Sequence, residues 1–320
     1  MRIINLGSLN LDYSYRVPRF VRPGETMEAD SFSLKAGGKG LNQSIAAAKA
    51  GLEVYQAGCV GADSALLFEE LEQNGVDTSL IRIGADATGH AIIQVAAGGE
   101  NSILIYGGAN RTLTLEYIDS VLAHFAPGDV LLLQNEINLV PEIICEAHRR
   151  GLRIAFNAAP LTSDVRTYPL DKLSWLMVNE VEGEALTGET DHLAIIKKLK
   201  LDYPRAMPVL TVGAAGALTA DSDNIYTLSA YPLQPVDTTA AGDTFNGYFL
   251  SAVLADYSLP EALALGTAAG ALCVLKQGAA VSIPQREQVL AFLRENPPAE
   301  LAAEMIPLPI RGKDDETTTD

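Results

Sequence analysis

The chain opens on an apolar run, Ile3-Ile4-Asn5-Leu6, and from residue 54 onward short apolar runs alternate with segments of helical period. Residues 54–58 read as a strand. Asp63 then stands where it caps a helix carrying Leu66, Leu67, Phe68 and Leu71, which stops at Gly75. Val130-Leu131-Leu132-Leu133 is the short run expected of a strand buried on both faces of a parallel sheet. A helix over about 141–150 follows, and strand-like runs recur at 153–156, 175–178 and 209–212. This rhythm predicts an α/β fold, a parallel sheet covered by helices on both faces. Late in the chain, residues 242–255 have helical character. Ser258-Leu259-Pro260-Glu261 has capping-box spacing and opens a long apolar helix ending near Gly278.

Two stretches break the rhythm. Residues 12–35 lack helical period and carry Pro18, Pro23 and Gly24; residues 90–106 read as two strands joined by a Gly98-Gly99-Glu100-Asn101 turn. Both lie between elements of the main sheet, so together they predict a small accessory sheet. That sheet is either a pair of surface hairpins or a lid that shields a site from water.

Composition narrows the classes. The 320 residues suit one large α/β domain or two small ones. With 23 Lys and Arg against 40 Asp and Glu, the net charge of −17 repels phosphate backbones and anionic lipid, which argues against nucleic-acid and membrane partners. No run reaches the roughly 20 apolar residues of a membrane helix, and no signal peptide is read at the N-terminus, so a cytoplasmic protein is expected. Cys59, Cys145 and Cys273 have no metal-ligand or disulfide spacing and read as small buried hydrophobes in a reducing compartment. Residues 301–320, with Pro307, Pro309 and the run Asp314-Asp315-Glu316, read as a disordered acidic tail behind a domain of residues 1–300.

Four clusters can carry chemistry. Gly37-Gly38-Lys39-Gly40, followed by Leu41-Asn42-Gln43, lets a ligand approach backbone amides at a helix start, although it is no P-loop and a flexible turn explains it equally well. Asp237-Thr238-Thr239-Ala240-Ala241-Gly242-Asp243 leads small residues into a helix with one carboxylate in its first turn. Free amides at 240–242 would form an anion hole, and Asp243 can take a proton from an attacking hydroxyl; an Asp in a first turn also serves simply to stabilise the helix. Asn179-Glu180-Val181-Glu182 puts oxygen ligands at a strand's carboxyl end, suiting a hydrated Mg²⁺, although acidic residues are also commonplace in the first turn of an exposed helix. Asn10 and Asp12 share one face if the first strand continues; a turn explains them as well.

Taken in order, these clusters make the chain similar to the ribokinase-like, PfkB-type family of sugar and nucleoside kinases over roughly residues 2–295, and Gly107-Gly108-Ala109-Asn110 agrees. The resemblance implies a three-layer α/β/α fold with a mainly parallel central sheet and a small β-sheet lid (about 11–36 and 88–107) through which two copies pair as a homodimer. It implies transfer of the γ-phosphate of ATP to a sugar hydroxyl, with D-ribose the leading substrate and another sugar, a nucleoside or a catalytically silent sugar-binding regulator as alternatives. A dinucleotide-dependent oxidoreductase lacks its glycine fingerprint after the first strand. The resemblance assigns Asn10, Asp12, Gly38, Lys39, Asn42 and Glu136 to the sugar. Asp243 becomes the base, with Ala240, Ala241 and Gly242 as its anion hole. Asn179 and Glu182 go to Mg²⁺ and phosphate, and Thr211, Gly213 and Gly216 to the nucleotide. A potassium ion is implied at Asp237, the Thr239 carbonyl, Val274, Gly278 and Ser282. Three positions depart from the pattern or refine it: Thr267 stands where the family often carries His or Asn near the adenine, which bears on donor preference, and Tyr13 and Tyr15 follow Asp12, where they would reshape the sugar pocket.

Overall fold

In the computed structural model, which describes residues 1–298 and 306–307, the chain begins with β1 (Ile3–Leu6), β2 (Asn10–Val17), β3 (Ser31–Gly37), α1 (Lys39–Lys49), β4 (Val54–Val60), α2 (Ala65–Gln73) and β5 (Asp77–Ile83). A hairpin follows, β6 (Gly89–Ala96) and β7 (Asn101–Tyr106), then α3 (Leu115–Leu122), β8 (Val130–Gln134), α4 (Val140–Arg149), β9 (Arg153–Asn157), β10 (Trp175–Asn179) and α5 (Glu180–Thr187). The last part holds α6 (His192–Asp202), β11 (Met207–Thr211), β12 (Ala217–Ala220), β13 (Asn224–Leu228), α7 (Ala241–Leu254), α8 (Leu259–Cys273), α9 (Arg286–Glu295) and β14 (Ile306–Pro307).

The main sheet has the order β14-β13-β12-β11-β10-β9-β8-β1-β4-β5. Strands from β5 across to β11 run parallel, and β12, β13 and β14 extend the edge antiparallel. Alternation feeds two apolar layers: Ile3, Leu132, Met177 and Val209 pack toward α1, α7 and α8, while Ile4, Leu133, Phe156 and Val178 pack toward α3, α4 and α6. This is the three-layer α/β/α arrangement that the rhythm of the sequence predicts. The two arrhythmic stretches form one four-stranded sheet, β3-β2-β6-β7, standing over the carboxyl end of β1.

Several local expectations are corrected. The helix after Asp63 is capped at Ser64, because Asp63 turns its carboxylate to the Thr88 amide and hydroxyl. The long apolar helix ends at Cys273 rather than near Gly278; the Val274 carbonyl instead accepts the amides of Val236 (2.8 Å) and Asp237 (3.2 Å). Cys59 and Cys273 are buried, but Cys145 is exposed, on the outer side of α4 whose inner side carries Ile143, Ile144 and Ala147. Tyr13 and Tyr15 lie across β2 from Asp12 by alternation and pack against Phe32, so they do not shape a pocket at Asp12. The expected tail at 301–320 lies outside the described residues apart from the β14 pair. Among the described residues, no helix is long and apolar enough to cross a membrane.

Candidate active site

The carboxyl ends of β10 and β11 and the N-termini of α1, α5 and α7 line one cleft of about 570 Å³, the place where open α/β sheets bind ligands. At its floor lies Asp243, the third residue of α7 and buried. Both its oxygens are held from α1: Gln43 Nε2 donates to Oδ1 at 2.8 Å and Asn42 Nδ2 to Oδ2 at 3.1 Å. Gly247 makes this approach possible, since a Cβ there would sit 2.5 Å from the Ala46 methyl of α1. Asn42 Oδ1, itself buried, has no hydrogen-bond partner among the described residues.

The turn into α7 is strained. Ala240 has φ +61°, a left-handed conformation costing an alanine about 1–2 kcal/mol, of the kind concentrated at functional sites. The Ala241 amide is engaged by the Thr238 carbonyl at 3.3 Å, a correction to the expectation of free amides at 240–242. The amides of Ala240 and Gly242 keep no partner among the described residues, and a Cβ on Gly242 would meet nothing within 4 Å. That pocket of unpaired donors at a helix start is shaped for an anion.

Lys39 opens α1 and faces the same cleft. Asp243 above all holds its ammonium above the ordinary lysine range against the opposing effect of burial, with Glu136 and Glu182 adding to it. Glu136, in the loop after β8, accepts the Ser8 hydroxyl and, at 3.2 Å, the Lys39 amide. Beside the β2–β3 pairing, Asp12 lies over Gly37, whose Cβ would fall 2.1 Å from Asp12 Oδ2, so a side chain there would displace the Asp12 carboxylate. Burial, with Glu136 adding repulsion and Lys35 opposing, pushes the Asp12 carboxyl up to about 6. Asn10 is buried one turn of alternation away, and Gly38 caps α1 at φ +95°.

Asn179 and Glu182 form a reciprocal capping box on α5, each amide donating to the other's side chain at 2.9 Å. Burial raises the Glu182 carboxyl, opposed by the Asn179 amide and Lys39, with Asp243 raising it further. Its second oxygen remains available, which fits a Mg²⁺ that arrives on phosphates and keeps most of its waters. Among the described residues, no three His, Cys, Asp or Glu side chains gather as a metal cage. Thr211, Gly213 and Gly216 line the far cleft with Ala214, Tyr231 and Leu233. Gly216 is demanded by the fold itself, because at φ +112° its Cβ would lie 1.9 Å from the Leu228 carbonyl. Thr267 lines the same end, buried, with its hydroxyl unpartnered among the described residues.

The proposed cation positions converge as two linked loops. Asp237 accepts from the Gly278 amide (2.9 Å) and from the Thr239 amide and hydroxyl, and these bonds hold its carboxyl below the ordinary range although burial pulls the other way. The Cys273 thiol touches the Thr239 carbonyl and the Ser282 hydroxyl, tying Val274 and its neighbours to the same place. Carbonyl and hydroxyl oxygens with one carboxylate suit a large monovalent cation rather than a transition metal.

Three residues of the site carry more than the sequence reading assigned them. Gln43 shares Asp243 with Asn42. Ser8 bridges Glu136 and the Gly40 amide. Asn110 accepts from the Leu9 amide (2.9 Å) and donates to Asn10 Oδ1 (2.8 Å), which fixes the Asn10 amide with its nitrogen free. All three stood inside or beside the quoted motifs, and the signal was their polarity within otherwise small, buried surroundings.

A cleft with a buried carboxylate, an ammonium, an acidic capping box and unpaired amides at a helix start has the parts of a phosphoryl-transfer enzyme, in which catalysis is positioning and charge stabilisation. Residues 2–286 match the family described as pfkB family carbohydrate kinase, and the chain belongs to that family. It is 36% identical to the ribokinase of Haemophilus influenzae over 302 residues, covering 90% of this chain and 97% of that protein. It is 30% identical to the deoxyribokinase of Salmonella typhi over 305 residues, 92% and 100% of the two chains. The crystal structure of ribokinase from Cryptococcus neoformans in complex with ADP matches with a TM-score of 0.79 at 35% identity, covering 91% of this chain and 99% of that one. The protein is thus an ATP-dependent PfkB-type sugar kinase with the ribokinase-like fold.

Proposed function

We propose that this kinase phosphorylates D-ribose at its 5-hydroxyl, with Asp243 as the base. The observation that carries the reading is the buried Asp243 carboxylate at the junction of cleft and small sheet, with the bare Asn42 Oδ1 beside it. An unpaired buried oxygen costs about 1–3 kcal/mol unless a ligand donates to it, and a sugar hydroxyl does so. Asn10, Asp12, Gly38, Lys39, Asn42 and Glu136 would hold the sugar hydroxyls. Asp243 takes the proton of the 5-hydroxyl as that oxygen bonds to the γ-phosphorus and the bond to the ADP oxygen breaks. The amides of Ala240 and Gly242, at the strained Ala240-Ala241-Gly242 turn, would receive the charge on the transferring group.

Asn179 and Glu182 would hold hydrated Mg²⁺, which when bound neutralises phosphate charge. Asp237, Thr239, Val274, Gly278 and Ser282 would hold potassium, which adds positive potential behind the anion hole. Thr211, Gly213 and Gly216 would line the nucleotide, with Thr267 beside its base. The small sheet acts in this reading as the lid of a kinase domain of residues 1–300, its segments 11–36 and 88–107 closing to keep water from the phosphate. Its exposed Leu34, Ile103, Leu104, Ile105 and Tyr106 favour pairing with a second copy. The cytoplasm, where Cys145 stays reduced, is the compartment this reading assigns.

A 2-deoxy sugar is the second reading, favoured by the Salmonella typhi relative. Coupled ADP release with Mg·ATP, with and without K⁺, across ribose, deoxyribose, ketohexoses and nucleosides tests it. The largest kcat/KM is expected with ribose; a larger value with deoxyribose moves the assignment to the 2-deoxy sugar.

A further inference from the structure

The layer of the main sheet facing α1 and α7 is apolar at Ile3, Val54, Val130 and Leu132, but the next inward positions toward the carboxyl ends are Asn5, Gln56 and Gln134. Three adjacent strands, β4, β1 and β8, therefore each bury an amide under α1, where alternation calls for an aliphatic side chain. Burying amides costs about 1–3 kcal/mol each unless they are bonded. These amides are bonded, and in one direction.

The direction follows from groups of fixed chemistry at the two ends. At one end Gln56 Nε2 donates to the carbonyls of Ala57 (2.8 Å) and Gly7 (3.2 Å), so its oxygen is the end that accepts the Ser44 hydroxyl at 2.6 Å. Ser44 Oγ in turn accepts from Asn5 Nδ2 at 2.8 Å, and the same nitrogen donates to the Gly40 carbonyl at 2.7 Å. Asn5 Oδ1 accepts from Gln134 Nε2 at 3.1 Å, and that nitrogen also donates to Gln43 Oε1 at 2.8 Å. Gln43 is thereby left with its Nε2 toward Asp243, a carboxylate that only accepts. Gln134 bears the cost of this orientation: its Oε1 is buried without a partner among the described residues.

We propose that Gln43 is a positioning residue for the catalytic base, set by the buried relay Gln56–Ser44–Asn5–Gln134, which fixes the Asp243 carboxylate so that its free lone pairs face the sugar hydroxyl. The proposal rests on the reading of Asp243 as the base. Asn42 holds the second carboxylate oxygen but also faces the sugar; Gln43 and the relay hold Asp243 from behind. Their contribution is orientation at the moment of proton transfer, where a displacement of about 1 Å costs on the order of a hundredfold.

The test is a double-mutant cycle between Gln43→Met, which keeps the volume and removes the donor, and Asp243→Asn, measured by kcat and KM on the full chain. Gln43→Met is expected to lower kcat by about 10- to 100-fold while KM for sugar and for ATP stays within about threefold. In the Asp243→Asn background the same change is expected to alter kcat by less than about threefold, because there is no base left to orient. Gln134→Met, which leaves the Gln43 donor but frees it to rotate, should give the same pattern at about 3- to 10-fold, and carries the test if Gln43→Met does not fold. Equal losses in both backgrounds, an unchanged kcat, or a loss confined to KM overturns the proposal. An Asp243→Asn enzyme that retains more than about a tenth of the wild-type kcat overturns the base reading instead.

Discussion

The two ends of the cleft are built from different material. The end beneath the small sheet consists of polar side chains, Asn10, Asp12, Lys39, Asn42, Glu136 and Asp243, each buried or half-buried and several bonded to one another. The opposite end is mostly backbone and apolar surface around Gly213, Ala214, Gly216, Tyr231 and Leu233, with Thr211 and the buried Thr267 hydroxyl as polar side chains among them. Side chains in fixed hydrogen bonds discriminate strongly, since an absent hydroxyl leaves a buried group unpaired at a cost of orders of magnitude in rate. A backbone and apolar groove tolerates variation. Selectivity is thus expected at the acceptor end and permissiveness at the donor end.

The largest effect is expected between the two ends, at the proposed anion hole. Gly242→Ala puts a methyl into space that the protein leaves empty, so kcat with Mg·ATP should fall by about 100-fold or more. The thermal midpoint should hold or rise slightly, because alanine replaces glycine in a helix turn. A wild-type rate would remove the phosphate from that position.

At the acceptor end, Asp12→Asn should raise the sugar KM by about 10- to 100-fold with the KM for ATP nearly unchanged. Its pH dependence has a definite sign. The folded protein retains the Asp12 proton up to about 6, whereas the unfolded chain releases it near the ordinary aspartate value. The free enzyme therefore loses stability from this group as pH rises from about 4 through 6, and Asp12→Asn abolishes that slope. Sugar affinity should run the opposite way, rising as the carboxylate ionises and accepts hydroxyls. Denaturant midpoints and calorimetric titration at pH 5 and 7.5 check both.

At the donor end the effect should be small. Thr267→Val is expected to raise the ATP KM by no more than about fivefold, the worth of one neutral hydrogen bond, and to spare the sugar KM. A hundredfold rise would show that the donor end is as exacting as the acceptor end. Smallest of all, Ala240→Gly relieves the left-handed conformation and should change unfolding stability by less than about 1 kcal/mol in a denaturant titration.

The same contrast explains what the sequence made legible. Alternation and the apolar run at residues 130–133 announced the layers, and the Gly98-Gly99 turn announced the hairpin. The Ser258 and Glu261 capping box is present as read, with Glu261 bonded to the Ser258 amide and hydroxyl. The helix stop at Cys273 was hidden, because residues 271–275 stay apolar and the chain turns only to give Val274 its tertiary partners. At the acceptor end, polar residues beside paired glycines stood out against their surroundings. The amides of Asn5, Gln56 and Gln134 appear in sequence only as interruptions of strand runs. Their partners depend on the register of β4, β1 and β8, which no local pattern encodes. The donor-end loop of Leu233 and Pro235 forms no motif, since backbone contacts leave no side-chain signature.

The most direct measurement is a single-turnover transfer with ribose and Mg·ATP both bound, comparing wild type with Asp243→Asn and reading the product by phosphorus NMR. The account predicts 5-phosphorylated ribose from the wild type, and from the variant binding of both ligands with transfer slowed by about 100- to 10,000-fold. Transfer by the variant at a rate near wild type, or phosphate on another hydroxyl, would contradict it.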